Sequence, residues 1–240
     1  MLLQTSQSPA LSSSAASING ERITLEPLQL DHFSTLLLLA QDTRIWEHFP
    51  ESRADSDQHL DHLLDALRLR DLGQHLPFVI RMKATGEIAG YTRLHTWDKQ
   101  HRKVETGSWL HPNYWRSGIN TESKYLLLRY CFEHLGIIRV QFKTAPTNVR
   151  SRAALEKLGA TYEGLLRNDR ILPDGNCRDT VVYSIILEEW TGIQERLLSR
   201  LSITSAPASQ FPATPFLSPE PCLRLGSAPI GMPGLRAHPH

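Results

Sequence analysis

The sequence predicts an α/β (α+β) domain with a mixed, mostly antiparallel sheet and one strand–helix–strand crossover. Two observations support this fold class. Segments whose apolar residues alternate with polar ones, as in strands, are interspersed with segments whose apolar residues repeat at helical spacing. Short turns join some neighbouring strand segments, and a hairpin of this kind requires antiparallel strands.

Both ends of the chain differ in composition from the middle. Residues 1–20 are rich in Ser and Ala, and residues 201–240 are rich in Pro, Ser and Gly. Neither segment has a repeat that could bury an apolar face, so we predict a disordered leader and a disordered tail. The folded domain is predicted to span residues 21–200.

The domain is predicted to begin with a strand and two helices. Residues 22–28 alternate between apolar and polar side chains, which indicates a strand. Residues 30–42 carry a run of leucines and indicate a helix. Residues 56–73 have leucines at helical spacing, and Gly73 is a typical residue for ending such a helix.

Three strands and a third helix are predicted next. The strands cover residues 76–83, 86–98 and 102–112, and the turn between the first two is short enough for a hairpin. The helix that follows has apolar side chains at i, i+3, i+4 and i+7, and Gly136 ends it. Those apolar residues are Leu128, Cys131, Phe132 and Leu135.

The last part of the domain predicts a strand, a helix and a closing hairpin. Residues 137–145 are β-branched and aromatic and indicate the fifth strand, and residues 148–159 indicate a helix that ends in a glycine. Two further strands, at 160–172 and 178–187, flank the turn 173–176. The prediction is therefore seven strands and about four helices.

The composition argues against several classes of protein. Lys and Arg number 26 against 25 Asp and Glu, whereas nucleic-acid-binding proteins normally have a clear basic excess, so an RNA-associated role for the basic helix 148–159 is disfavoured. No apolar run reaches the ~18–20 residues that cross a bilayer. Residues 1–20 lack a secretion-signal pattern, so we expect a cytoplasmic protein that contacts no membrane. No metal site is expected, because no metal-ligand spacing connects the three cysteines, Cys131, Cys177 and Cys222.

The loop "WRSGINT", residues 115–121, could hold an anion at the start of the third helix. A helix N-terminus leaves backbone N–H groups unpaired and carries about half a positive charge. An arginine adds charge, a glycine lets another molecule approach the backbone, and three polar residues add donors; these are Arg116, Gly118, Ser117, Asn120 and Thr121. The alternative is structural, with Gly118 making a tight turn and Asn120 or Thr121 capping the helix. The glycine patterns of P-loop and Rossmann nucleotide sites are both missing from the sequence.

Two stretches taken together resemble one family. "YWRSGINTESKYLLL" (114–128) and "RVQFKTAPTNVRSRAALEKLGATYEGLLR" (139–167) resemble the GNAT N-acetyltransferase superfamily, and within it the RimJ/RimL-like branch. The likeness covers roughly residues 20–190. It implies a GNAT-like seven-stranded sheet that is splayed open between the fourth and fifth strands, 102–112 and 137–145. It also implies acetyl-CoA as the acyl donor.

The resemblance assigns most of the site residues. The pantetheine arm would enter the split and pair with the backbone near Trp109, Leu110 and His111. The pyrophosphate would lie on the loop and first helical turn, which comprise Arg116, Ser117, Gly118, Ile119, Asn120 and Thr121. Asn148 and Ser151 match the family's N-x-x-A/S on the next helix, although Asn148 is equally a plain helix cap. The loop departs from the usual family pattern at Trp115 and Asn120.

The catalytic groups are less clearly indicated. Glu105, in the middle of the fourth strand, is the candidate general base, and the alternative is a solvent-facing strand carboxylate paired with a basic neighbour. His111 is a second candidate base, and the alternative is a turn histidine. Leu155 stands where many GNAT enzymes carry a tyrosine that acts as the general acid. Either Ser151 or a water protonates the thiolate instead, or no acid is needed because a thiolate with a pKa near ~8.5 is already a tolerable leaving group. A backbone N–H near Leu110 or His111 would stabilise the oxyanion.

The function that follows is acetyl transfer from acetyl-CoA to a primary amine by direct attack on the thioester. The acceptor is expected to be a protein N-terminus or a small-molecule amine, and the likeness also implies a possible homodimer. An alternative of a different class is a regulatory module that binds coenzyme A without catalysis. The absence of the tyrosine favours that alternative slightly.

Overall fold

A computed structural model describes residues 16–201 of the chain. Residues 1–15 of the predicted leader and residues 202–240 of the predicted tail lie outside the described residues. The rest of the predicted leader is not without structure: Ile18 and Asn19 pair with Leu25 and Thr24, and Ile18 is fully buried. Regular structure therefore begins inside a segment that its Ser-rich composition marks as disordered.

The centre of the fold is an eight-stranded sheet with the order β1-β2-β3-β4-β5-β6-β8-β7. Only β5 and β6 pair in parallel, and every other neighbouring pair is antiparallel. The eighth strand is the two-residue β1, which is too short to carry a periodic pattern. The strands are β1 (Ile18–Asn19), β2 (Ile23–Pro27), β3 (Leu76–Met82), β4 (Ile88–Asp98), β5 (Lys103–Leu110), β6 (Arg139–Thr144), β7 (Thr161–Ile171) and β8 (Cys177–Ile186).

Five helices accompany the sheet in the described part of the chain. They are α1 (Phe33–Ala40), α2 (Ser56–Asp71), α3 (Ile119–Arg129), α4 (Val149–Leu158) and α5 (Leu187–Leu201). Helix α3 continues into a π-helical turn, Tyr130–His134. About four helices were predicted, and α5 is the additional one. It buries Trp190, Ile193 and Leu197, whose i, i+3, i+7 spacing is a helical signal at the end of the domain.

Two hydrophobic cores lie on opposite faces of the sheet. One core joins β-strand residues such as Val104 and Val140 to α3, α4 and α5. The other joins Val79, Tyr91 and Trp109 to α1 and α2. Helix α3 is buried along almost its whole length, because all residues from Glu122 to Arg129 have little exposed surface. The loop at its start is therefore held by the main core rather than by local contacts alone.

The predicted split in the sheet is present between β5 and β6. These strands pair at only three positions, Lys103 with Arg139, Val104 with Val140 and Glu105 with Gln141. Beyond Glu105 the remainder of β5 continues to pair with β4 alone. Glu105 therefore lies at the vertex of a V-shaped opening, and the start of α3 follows from the open end.

Within residues 16–201 no helix has the length and apolar character needed to cross a bilayer. The same part of the chain contains no cluster of three or more His, Cys, Asp or Glu side chains that could hold a metal ion.

Candidate active site

The loop before α3 is held open by its own backbone and by a distant arginine. Gly118 is the N-cap residue with φ 87°, and Arg116 also has a positive φ of 60°. Ser117 Oγ donates to Tyr114 O at 2.6 Å, and Arg22 Nη1 donates to Ser117 O at 3.0 Å. No side chain caps α3, so the alternative in which Asn120 or Thr121 caps the helix is wrong. Ile119 N–H donates to Ser117 Oγ at 3.4 Å, and the amides of Asn120 and Thr121 have no side-chain acceptor in the described part of the chain.

Three arginines surround this loop. Besides Arg116 and Arg22, Arg150 from the first turn of α4 stacks on the Trp115 ring, with its guanidinium carbon 3.6 Å from the ring centroid. Burial lowers the pKa of Arg150, and the neighbouring positive charge of Arg116 lowers it further, although Glu47 opposes both. Positive charge is therefore concentrated where the helix amides are unpaired, which is the chemistry that binds phosphate.

Glu122 lies in the first turn of α3 but is directed away from the loop. Its side chain is fully buried, and Oε1 accepts from the backbone N–H groups of Arg22 at 2.9 Å and Ile23 at 3.4 Å. The carboxylate therefore joins α3 to β2. Its negative charge does not face the predicted anion site.

Backbone groups on β5 alternate between β4 and the split. His111 N–H donates to Ala89 O at 2.9 Å, so the amides of odd-numbered residues such as Trp109 also point toward β4. The amides of Ser108 and Leu110 consequently point into the split. Leu110 O already accepts from Trp115 Nε1 at 2.9 Å. Of the three residues expected to pair with the pantetheine arm, Leu110 is the one whose N–H faces the opening.

Asn148 is the N-cap of α4, and its Oδ1 accepts from Ser151 N–H at 2.9 Å. The stacking of Arg150 on Trp115 brings this end of α4 against the loop before α3. The predicted residues on the two sides of the split are thus brought together. Leu155, one turn further along α4, is buried in the core and offers no proton.

Glu105 is 8% exposed and is surrounded by basic and amide groups. Its carboxylate oxygens lie 3.7 Å from His95 Nε2, 3.6 Å from Lys143 Nζ and 3.3 Å from Gln141 Nε2. It lies at the vertex of the split and pairs with a basic neighbour, but it is buried, so the expectation of a solvent-facing carboxylate is wrong. Its role as general base stays a prediction.

His111 lies far from Glu105. Six residues of extended strand separate them, which is about 20 Å. The His111 ring accepts from Asn113 N–H at 3.4 Å, and Nε2 is 3.7 Å from Asp42 Oδ2. Hydrogen bonds from Arg44 lower the pKa of Asp42 to about 2, so this partner is an anion. The two candidate bases are not brought together.

Lys124 is a site residue that the sequence patterns do not reveal. Its Nζ donates to Thr106 Oγ1 at 3.2 Å and lies 5.8 Å from the centroid of the Phe142 ring. Thr106 and Phe142 are the first residues past the vertex on the two strands. The side chain is 7% exposed, and burial lowers its pKa to about 8. Burial of the residues around it on α3 distinguishes Lys124 from a surface lysine, and this burial is seen in the structure.

The opposite face of the sheet, beneath α2, carries a cluster of histidines. His59 and His62 belong to α2, His75 precedes β3, and His95 lies on β4. Burial is the largest cause that lowers their pKa values, to about 4, 2, 4 and 3 respectively, and Arg53 and Arg93 add to it. These imidazoles are therefore neutral in the folded protein at pH 7.

The histidine cluster predicts that the protein loses stability in acid. A histidine whose folded pKa lies below its unfolded value of 6.5 stabilises the fold above pH 6.5 and ceases to do so as the pH falls. His59 is completely buried, and between pH 6.5 and about pH 5 it alone should cost about 2 kcal/mol. We expect urea unfolding at about pH 5 and about pH 7.5 to show this loss. His59→Phe should reduce it, and equal unfolding free energies at both pH values would contradict the prediction.

Comparisons with known proteins agree on one family. Residues 22–161 match the sequence model described as "Acetyltransferase (GNAT) domain". The chain is 30% identical over 170 residues to the "Putative ribosomal N-acetyltransferase YdaF" of Bacillus subtilis, which covers 70% of this chain and 91% of the relative. A GCN5-related N-acetyltransferase structure from Brucella melitensis is 26% identical with a TM-score of 0.72, covering 81% of this chain and 87% of that one. The RimJ structure from Mycobacterium smegmatis, in complex with CoA-disulfide, is similar in fold, with 23% identity, a TM-score of 0.66 and coverage of 74% and 88%.

Proposed function

The chain belongs to the GNAT acetyltransferase family, and from this premise we propose that it moves the acetyl group of acetyl-CoA to a primary amine by direct attack on the thioester. One observation carries the proposal. Strands β5 and β6 separate immediately after Glu105, and the arginine-lined loop before α3 lies beyond the open end. An extended arm in the split would place its diphosphate at that loop and its thioester near the vertex.

The donor's diphosphate has a fitting set of groups. The amides of Asn120 and Thr121 and the guanidinium groups of Arg22, Arg116 and Arg150 supply neutral and charged donors at one place. Asn148 and Ser151 lie across the split at the start of α4. We assign the diphosphate to the loop before α3 and the arm to the inward-facing edge of β5.

The transfer requires two proton movements. A C–N bond forms and the C–S bond breaks, so the amine loses a proton and the departing thiolate gains one. We assign the first proton to Glu105, taken directly or through one water. Amides that face the split stabilise the negative charge on the carbonyl oxygen, and Ser108 lies closer to Glu105 than Leu110 does.

We assign the second proton to Lys124 rather than to Ser151. Its ammonium group is buried beside Thr106, one residue past the vertex on β5. A pKa of about 8 is close to that of a thiol, ~8.5, so the proton passes to the thiolate without a large free-energy cost. This assignment accounts for catalysis in a chain that has Leu155 in place of the usual tyrosine.

Lys124→Met should make the protein more stable and less active. In this chain no carboxylate among residues 16–201 forms an ion pair with Lys124, so its buried charge opposes folding at pH 7. Replacing it with an apolar side chain of similar length should raise the free energy of unfolding by about 2 kcal/mol. We expect kcat to fall about 100-fold, the lower end of the contribution that a positioned general acid typically makes. Urea unfolding and steady-state thiol release measure the two effects, and a variant that is stabilised with unchanged kcat would show that Lys124 donates no proton.

Acceptor type, location and assembly are finer parts of the proposal. The RimJ/RimL likeness suggests a protein N-terminus or a small amine in the cytoplasm. A homodimer could form along β7, because β7 is the last strand of the sheet and exposes apolar side chains. These are Leu165, Leu166 and Ile171, which are 44%, 42% and 77% exposed. Sedimentation equilibrium of the full chain tests the dimer.

A two-stage experiment separates the enzyme from a module that only binds coenzyme A. Titration calorimetry with acetyl-CoA measures binding, and release of free thiol in the presence of an amine panel measures transfer. We expect saturable binding and amine-dependent thiol release. Binding without release for any amine would instead support the regulatory module.

A further inference from the structure

The face of the sheet beneath α2 contains a recess next to Glu105. Gly107 lies two residues from Glu105 on the same face of β5, opposite Arg93 of β4. A Cβ atom at Gly107 would lie 3.4 Å from His95 Nε2 and 3.9 Å from Arg93 Nε. The glycine therefore leaves a space about the size of a methyl group or larger between the imidazole, the guanidinium and the strand backbone.

Two arginines at this recess lack a carboxylate partner. Arg93 Nη1 is 3.4 Å from His62 Nε2, and Arg53 precedes α2. No ion pair within the described part of the chain involves either arginine. Burial lowers the pKa of Arg53, and the positive charge of Arg93 lowers it further, while Glu51 partly compensates. Two neighbouring positive charges repel each other, and an incoming anion would relieve that repulsion.

Buried polar atoms beside the arginines also lack hydrogen bonds. His59 is completely buried, and neither of its ring nitrogens has a partner. Trp109 Nε1, in the same cluster, is likewise unpartnered. The rings of His59 and Trp109 have centroids 5.9 Å apart, and Trp46 packs against both. Since native proteins pair nearly all buried polar groups, these ring nitrogens would gain a hydrogen bond from a polar guest or an ordered water.

The charge of the recess selects the ligand class. The surrounding histidines are neutral, and the fixed charges of Arg53 and Arg93 are positive, so a second cationic group on the acceptor is disfavoured. A guanidinium presents its N–H groups as a planar fork, which matches a carboxylate with two parallel hydrogen bonds. Arg93 and the Glu105 partner His95 are two residues apart on one strand, about 7 Å.

We propose that Arg53 and Arg93 bind a carboxylate of the acceptor and hold its amine over Gly107, beside Glu105. The acceptor is then an amine that itself carries a carboxylate a few bonds away. This inference rests on the proposed function, because it concerns the same reaction. Two sources share this chemistry: the carboxylate of a free amino acid, and an acidic side chain in the first residues of a peptide.

The test compares acceptors that differ only in the carboxylate. Thiol release from acetyl-CoA is measured with free glutamate against glutaminamide, in which both carboxylates are replaced by amides, and with amidated peptides that begin with Asp against Asn. We expect at least about 10-fold higher kcat/KM for the acidic member in one of the two arms, which equals about 1.4 kcal/mol. The arm that responds identifies the source. Equal rates for acidic and neutral members in both arms would overturn the inference and leave acetyl transfer itself intact.

Variants at the recess give the second readout. Arg93→Gln should raise KM for the acidic acceptor at least 10-fold with little change in kcat, and should leave acetyl-CoA affinity unchanged. Arg93→Lys should restore part of the loss. Arg68→Gln is the matched control, because Arg68 is an exposed arginine on the outer side of α2 that pairs only with Asp65.

Calorimetry keeps the inference separate from catalysis. The glutamate and Asp-peptide acceptors are titrated into the wild-type protein and the Arg93→Gln variant, each loaded with coenzyme A. Binding that the variant loses supports the carboxylate site even if no turnover is found, in which case the proposed function fails alone. Binding that is absent, or equal in both proteins, overturns the carboxylate site.

Discussion

Gly118→Asp should weaken acetyl-CoA binding by at least about 100-fold. Gly118 is the N-cap of α3, and a Cβ atom there would lie 3.1 Å from Arg22 Nη1, which holds the loop through Ser117 O. A carboxylate at this position faces the amides and arginines that receive the diphosphate. Two like charges about 5 Å apart near a protein surface repel by roughly 3 kcal/mol, which corresponds to that loss. Titration calorimetry with acetyl-CoA measures the effect.

The control for this prediction is Gly86→Asp. Gly86 has a φ of 75°, close to the 87° of Gly118, and no heavy atom lies within 4 Å of its Cβ position. The control therefore introduces the same charge and the same backbone strain in the turn between β3 and β4. Its affinity for acetyl-CoA should equal that of the wild type. An unchanged affinity in Gly118→Asp would mean that the diphosphate binds elsewhere.

Glu105→Gln should reduce kcat by about 100-fold with little change in acetyl-CoA affinity. The amide keeps the size of the side chain and its contacts with Gln141 and Lys143, but it cannot accept the amine proton. Because Lys143 loses its ionised partner, a small decrease in stability should accompany the effect. Thiol release across a range of pH values measures kcat, and urea unfolding measures stability.

Glu195→Gln provides the comparison for this variant, because Glu195 is exposed on α5, far from the split in sequence. We expect it to match the wild type in both assays. If Glu105→Gln turned over acceptor at the wild-type rate, Glu105 would be only the ion-pair partner of its basic neighbours. Selective loss of kcat distinguishes the base from a residue that merely supports the fold.

The fold was predictable where local pattern decides it. The helical spacing of Leu128, Cys131, Phe132 and Leu135 predicted one buried face, and all four side chains are buried at the end of α3 and in the turn that follows it. The two-residue β1 left no pattern, because alternation is recognisable only over about four or more residues. Helix α5 did leave a pattern, because Trp190, Ile193 and Leu197 are apolar residues at helical spacing.

The loop before α3 was visible in the sequence because its residues are contiguous, but its supports were not. Arg22 is 95 residues from Ser117, and Arg150 reaches Trp115 from another helix. Contacts between such distant residues depend on strand order, which no local period encodes. Lys124 and Arg93 were hidden for a different reason. By type they are surface residues, and only the fold shows that one is buried at the split and the other lines a recess.

The stacking of Arg150 on Trp115 has a consequence for donor selectivity. The two side chains follow β6 and β5, the strands that no longer hydrogen-bond to each other at this end. Their contact fixes the distance between the two strands at the open end of the split, and the three backbone pairs fix it at the vertex. An opening whose width is fixed at both ends should admit a slender, unbranched chain and exclude a wider one. We therefore expect the spacing of the two strands to select among thioester donors before any bond is made or broken.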